Sequence, residues 1–304
     1  MRMQANPRRL TWLLFIASVA LLIGAGNASA TSYCIEKDLD LYGYLNQNVV
    51  PGWGGVACCP TAAVNSMVYL QNKYPSIYDT LLVPVQAQDL DGDGDVDQTD
   101  DMIGVVQTLG GQGYMNTIIN NGTFADDFMY GKYRYIEEVA PGRTRYEAMS
   151  YWAWTHPPAR DPAVPNPEQP DWVTTGVYPT WEFLYEELVA CEDVEIALTH
   201  ATGGHCLTLT SFCWNDSDED LIIDFGEGAF IDYIDPWTGL HVPQTHIWQS
   251  SPGGMIETAY WSETESYISW AVSESPIPEP ISMIFFGTGL VGVFGFVTRR
   301  RMRK

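Results

Sequence analysis

The sequence predicts an α+β domain, because two helical segments and three strand segments read clearly in the order helix, helix, hairpin, strand. The first helix starts at Cys58-Cys59-Pro60-Thr61, where proline suits a first turn. Ala63, Met67, Leu70 and Tyr74 then recur on one face, and Pro75 ends it. A second helix follows Thr180, a good N-cap, with Trp181, Leu184, Tyr185 and Leu188 on one side. The stretches 194–199 and 205–214 read as a hairpin joined around Gly203-Gly204, and Ala229 to Asp235 reads as a strand stopped by Pro236.

Both ends of the chain carry signals of their own. Residues 1–30 hold Arg2, Arg8 and Arg9, an apolar run from Leu10 to Gly24, and the small-residue sequence Ala28-Ser29-Ala30, the pattern of a cleavable signal peptide. Residues 276–304 contain Pro278-Glu279-Pro280, an uncharged stretch over 281–297 and a basic tail over 299–304. Seventeen helical residues span about 26 Å, enough for a transient transmembrane anchor in the inner membrane, and the basic tail would stay on the cytoplasmic side. The tripeptide, span and tail together resemble the PEP-CTERM sorting signal. That resemblance implies processing by exosortase machinery and delivery to the cell envelope or exterior.

Residues 1–30 and 278–304 hold eight of the fifteen Lys and Arg but a single acid, Glu279. The part between them has 37 acids against 7 bases, a net charge near −30. Such a field excludes nucleic acid as a partner and suits cations. The hydrophobic fraction of 46% is enough for one large domain over 31–275.

Six cysteines in an exported chain suggest three disulfides. However, Cys58 and Cys59 are neighbours, and Cys206 and Cys213 lie about 23 Å apart along one strand. At least one thiol is expected to stay free. A thiol at the amino end of the first helix would be stabilised as thiolate by the helix dipole, while His205 opens a strand and Asp235 ends one. An aspartate so placed can orient an imidazole.

Taken in chain order, Cys58-Cys59-Pro60-Thr61, Gly204-His205 and Asp235-Pro236 resemble the papain-like cysteine peptidases, especially those that process bacteriocin leaders. The resemblance implies a papain-like fold, with a cysteine-bearing helix packed on an antiparallel sheet. It implies Cys58 as nucleophile rather than Cys59, His205 as general base and acid, Asp235 as its orienting partner, and Gln47 as an oxyanion donor. Gln47 lies eleven residues before Cys58, further than that family usually has it, and the acidic stretch 215–228 must be a loop insertion between His205 and Asp235. The substrate class would be a peptide or protein.

Asp89 to Asp100 reads DLDGDGDVDQTD, a twelve-residue calcium-loop pattern with Asp89, Asp91, Asp93, Asp95, Asp97 and Asp100 as candidate Ca2+ ligands or ligand positions and Gly94 at the sharp turn. Asp100 in the last position resembles dockerin-type EF-hand loops. One such loop is recognised, so the expectation is a calcium clip inserted in a larger domain, followed by a helix over 101–109. A Pro-rich stretch over 155–179 reads as a surface insertion. The alternative function on the same fold is a non-catalytic, calcium-binding cell-surface or exopolysaccharide-matrix protein.

Overall fold

A computed structural model describes residues 30–119, 121–154, 168–190, 192–260 and 266–277. The signal segment, the span over 281–297, the basic tail, Cys191 and most of the Pro-rich stretch lie outside the described residues. Among the described residues no helix is long and apolar enough to cross a membrane.

The strands are β1 (Thr31–Glu36), β2 (Thr144–Ser150), β3 (Val173–Thr175), β4 (Asp193–His200), β5 (Gly203–Asp216), β6 (Phe230–Asp235), β7 (Leu240–Gln249), β8 (Ile256–Thr258) and β9 (Ser266–Pro276). The helices are α1 (Cys58–Lys73), α2 (Pro75–Tyr78), α3 (Gln98–Gly110), α4 (Ala125–Val139) and α5 (Trp181–Val189). The mixed helix and sheet content agrees with the α+β expectation.

Pairing runs β4 to β5 to β6 to β7 to β8 to β9 and back to β4, so six antiparallel strands close a ring. Closure removes the exposed edges of those strands. Outside it, β1 pairs with the far half of β5, β2 with β9, and β3 runs parallel to β2. One core fills the ring with Leu198, Leu207, Leu209, Ile231, Ile247 and Ile268, and is closed by Trp181 and Leu184 of α5. The other core lies among α1, α3, α4 and the sheet.

Helix α1 matches the expected bounds but not the expected amphipathic face. It is buried from Cys59 through Leu70, because loops and α3 cover the side that faces away from the sheet. Two of its buried polar residues are paired, since Asn65 accepts from the Leu45 N–H at 2.8 Å and Ser66 donates to Asp193 at 2.6 Å, while the Thr61 hydroxyl has no hydrogen-bond partner among the described residues. Helix α5 keeps its Thr180 cap, whose hydroxyl accepts from Phe183. Helix α3 starts three residues before the expected position, since Asp97 and Asp100 form a capping box there. The β4–β5 turn also differs, because His200 pairs with Gly203, so the two-residue turn is Ala201-Thr202 and both glycines belong to β5.

Lys132 of α4 is fully buried, and its Nζ meets Asp193 at 3.2 Å, Glu195 at 2.6 Å, and Glu274. This ion cluster ties the helical layer to β4 and β9. Burial opposes the charge on Lys132, but the three carboxylates override it and hold the ammonium on. The carboxylates themselves are pushed up by burial, Glu195 to about 7.

Candidate active site

Three elements bring Cys58, His205 and Asp235 together. Cys58 is the first residue of α1, His205 is third in β5, and Asp235 ends β6. Antiparallel pairing sets Thr208 opposite Ile234, which puts the carboxyl end of β6 beside the amino end of β5. The Cys59–Cys206 disulfide staples the helix start to β5, one residue beyond each of Cys58 and His205. A second disulfide, Cys34–Cys213, joins residues directly opposite in β1 and β5. Cys58 is thus the free cysteine among the described residues, and it is half-buried.

His205 Nε2 lies 2.7 Å from Asp235 Oδ1. The same imidazole hydrogen-bonds the Cys58 thiol, and with Nε2 committed, Nδ1 is the ring nitrogen left for sulfur. Burial would push the thiol up. The His205 hydrogen bond and charge, aided by the Cys206 and Cys59 backbone N–H groups, more than offset this and hold it below the usual thiol range. Burial would likewise lower His205, but Asp235 and Cys58 raise it to about 9. Both shifts favour the thiolate beside the imidazolium over the neutral pair.

Asp235 stays ionised despite burial, because His205, the Trp237 N–H at 2.8 Å and the Tyr260 hydroxyl at 3.3 Å all favour its charge. Tyr260 also stacks on the His205 ring, with centroids 5.7 Å apart. Its surrounding sequence carries no pattern that would single it out.

Gln47 is buried, and its Nε2 donates to Gly54 O at 2.6 Å. Its backbone N–H bonds Pro236 O at 2.7 Å. Gln47 therefore ties the glycine-rich approach to Cys58 to the turn after Asp235. Asn46 and Asn48 hold the same turn through Thr238 O and Trp237 O. Gly239 there has φ +67, and a Cβ on it would meet Tyr44 O at 2.8 Å, so this close approach requires glycine.

A cavity of about 430 Å3 opens on the pair. Cys58 and His205 form one wall, with Trp152, Trp270, Phe124 and Asp126 among the others. Gln47 is not among the lining residues.

Away from the cavity, a carboxylate oxygen from each of Asp89, Asp91 and Asp100 lies within 4.8 Å of the other two. Asp89 accepts from Gly92 at 2.6 Å and from Gly94 at 3.0 Å, and those glycines take φ of +81 and +103. Asp91 accepts from Asp93, Asp93 from Asp95, and Asp100 from Leu90, Asp91 and Asp97. The Asp93 charge raises Asp95, while the backbone N–H groups of Leu90 and Asp97 hold Asp100 down.

Residues 276–301 match the family model described as the PEP-CTERM protein-sorting motif. The chain carries that sorting signal. A protein with such a signal is exported and directed to the cell envelope by exosortase machinery, in agreement with the charge asymmetry of the ends. No curated protein matches the chain.

Proposed function

We propose that the exported domain is a papain-like cysteine peptidase, or a related acyl-transfer enzyme, in which Cys58, His205 and Asp235 carry the chemistry. The observation that carries this reading is the continuous chain from the Cys58 thiol through His205 to Asp235, 2.7 Å at its second link. In this mechanism Cys58 Sγ attacks a peptide or isopeptide carbonyl carbon, forming a C–S bond and a tetrahedral oxyanion. The Cys58 backbone N–H, at the first position of α1 where the helix supplies no acceptor, meets that oxyanion. His205 gives its proton to the leaving amine as the C–N bond breaks, leaving a thioester and a neutral imidazole. The imidazole then takes a proton from water, or from an acceptor amine, as it attacks the thioester, and the Cys58 thiolate departs beside a restored imidazolium. Gln47 contributes by fixing both the Cys58 approach and the Asp235 turn.

Calcium on the loop 89–100 is part of the same proposal. Asp89, Asp91, Asp93 and Asp100 would supply carboxylate oxygens and Asp95 its backbone carbonyl, with Asp97 in the ninth position. The convergence of Asp89, Asp91 and Asp100 supports it.

Two experiments test these readings. Non-reducing peptide mapping of the exported protein should find Cys34–Cys213, Cys59–Cys206 and a free Cys58. A Cys58 locked in a disulfide would sink the enzymatic reading. Calorimetry on chelated protein should detect calcium binding that is diminished by Asp89→Ala with Asp93→Ala, and unchanged heat in that variant would remove the loop from the account.

A further inference from the structure

The acidic connection between β5 and β6 has the ligand spacing of the loop 89–100. From Asp216 it reads DSDEDLIIDFGE, with Asp216, Asp218, Asp220, Asp224 and Glu227 at the first, third, fifth, ninth and twelfth positions. The first loop has Asp89, Asp91, Asp93, Asp97 and Asp100 at those positions.

The backbone follows the same course. Asp216 Oδ2 accepts from Leu221 N–H at 3.3 Å, as Asp89 accepts from Gly94. Asp218 accepts from Asp220 at 3.4 Å and Asp220 from Ile222 at 2.8 Å, as Asp91 and Asp93 accept two residues onward. Glu227 accepts from the second and ninth residues, Ser217 at 2.6 Å and Asp224 at 3.2 Å, as Asp100 accepts from Leu90 and Asp97. Leu221 stands where the first loop has Gly94 and takes φ +62, a left-handed conformation that an L side chain adopts only at a cost.

Hydrogen bonds within a loop do not by themselves identify a ligand; a buried, unsatisfied oxygen does. Asp216 is 1% exposed, its Oδ2 is used by Leu221, and its Oδ1 has no hydrogen-bond partner among the described residues. A buried carboxylate oxygen without a partner is costly unless a cation completes it. Carboxylate oxygens of Asp216, Asp218 and Glu227 lie within 4.8 Å of one another, the separation at which one ion can bridge them. The set is all oxygen and multiply anionic, which selects a hard divalent cation of calcium size over softer metals.

We propose that residues 216–227 form a second calcium site. Asp216, Asp218, Asp220 and Glu227 supply carboxylate oxygens, and Ile222 supplies its backbone carbonyl. The eighth residue, Ile223, anchors the loop to β7, since its N–H meets Gln249 Oε1 at 3.3 Å and its carbonyl accepts from the Gln249 N–H at 2.7 Å. Trp214 Nε1 donates to Glu227 Oε2 at 2.7 Å and orients the last ligand. The ion clips together β5 and β6, the strands that carry His205 and Asp235.

Calorimetric titration of the chelated exported protein with calcium separates this site from the first. Asp89→Ala with Asp93→Ala should keep one equivalent of binding, and adding Asp218→Ala with Asp220→Ala should abolish it. Asp218 and Asp220 are exposed, so those changes leave the core intact, and unchanged circular dichroism in chelator checks the fold. Terbium emission excited through tryptophan should persist in the first-loop variant, because Trp214 touches Glu227, and should fall at least about tenfold when Asp218 and Asp220 are replaced. Loss of all calcium binding in the first-loop variant would overturn the second site and leave the first standing. One equivalent in the wild type, kept in the first-loop variant and lost in the second-loop variant, would support this site and refute the other.

Discussion

Replacing Lys132 with methionine removes the single cation from a fully buried cluster and leaves Asp193, Glu195 and Glu274 facing one another within 4.8 Å. Breaking a buried ion pair from one side typically costs about 3–5 kcal/mol, since the surviving charges are neither hydrated nor compensated. For a domain of this size that is a fall in Tm of roughly 6–20 °C. The loss must depend on pH in a definite direction. Lys132 holds these carboxylates below where burial alone would put them, so without it they rise further and stay protonated, at a cost that grows by about 1.4 kcal/mol per group for each pH unit between 5.5 and 8. Thermal unfolding of Lys132→Met at both pH values, in saturating calcium, should therefore show the larger drop at pH 8. Adding Glu195→Gln and Glu274→Gln should restore much of it. A drop under about 1 kcal/mol at pH 8, or a larger one at pH 5.5, would refute the idea that Lys132 holds ionised carboxylates together.

Three further outcomes follow from the same geometry. The wild-type protein should lose stability as pH rises from 5.5 to 8.5, because the folded state binds more protons than the unfolded chain in that window. Glu195 rises from 4.5 to about 7, Glu187 from 4.5 to about 8 and His205 from 6.5 to about 9, and the Glu195 gap alone is worth about 3 kcal/mol; a Tm that increases over this range contradicts the assignment. Cys59→Ser with Cys206→Ser should cost about 2–5 kcal/mol and slow Cys58 alkylation, since the staple holds α1 against His205; unchanged alkylation kinetics would show that the dyad is held without it. Asp235→Asn should move the basic limb of the Cys58 reactivity profile below pH 9, because Asp235 helps to hold the imidazolium charged; an unmoved limb would assign that limb to another group.

The site was legible in sequence to the extent that local rules govern it. The proline after Cys59 and the glycines before Cys58 mark a helix start, and Pro236 marks the strand end at Asp235, so two backbone positions followed from short-range chemistry. Ring closure was not legible, because β4 pairs with β9 across some seventy residues and no local pattern encodes that partner. Nor was the role of Tyr260, whose two contacts to His205 and Asp235 are wholly long-range. Lys132 did carry a signal: it falls on the stripe of Phe128, Tyr135 and Ile136, an apolar face where a charge needs partners. The second acidic loop escaped its pattern for one residue, Leu221, where the first loop has glycine.

The central claim is that His205 lowers the Cys58 thiol and so makes it the more reactive nucleophile. An ordinary thiol, near 8.5, is about 3% ionised at pH 7. The ceiling on the effect is then roughly 30-fold, reduced somewhat because a more basic thiolate is a better nucleophile. Iodoacetamide labelling of Cys58 at pH 7, followed by mass spectrometry in wild type and His205→Ala, should differ on the order of tenfold in rate. Equal rates would contradict the account.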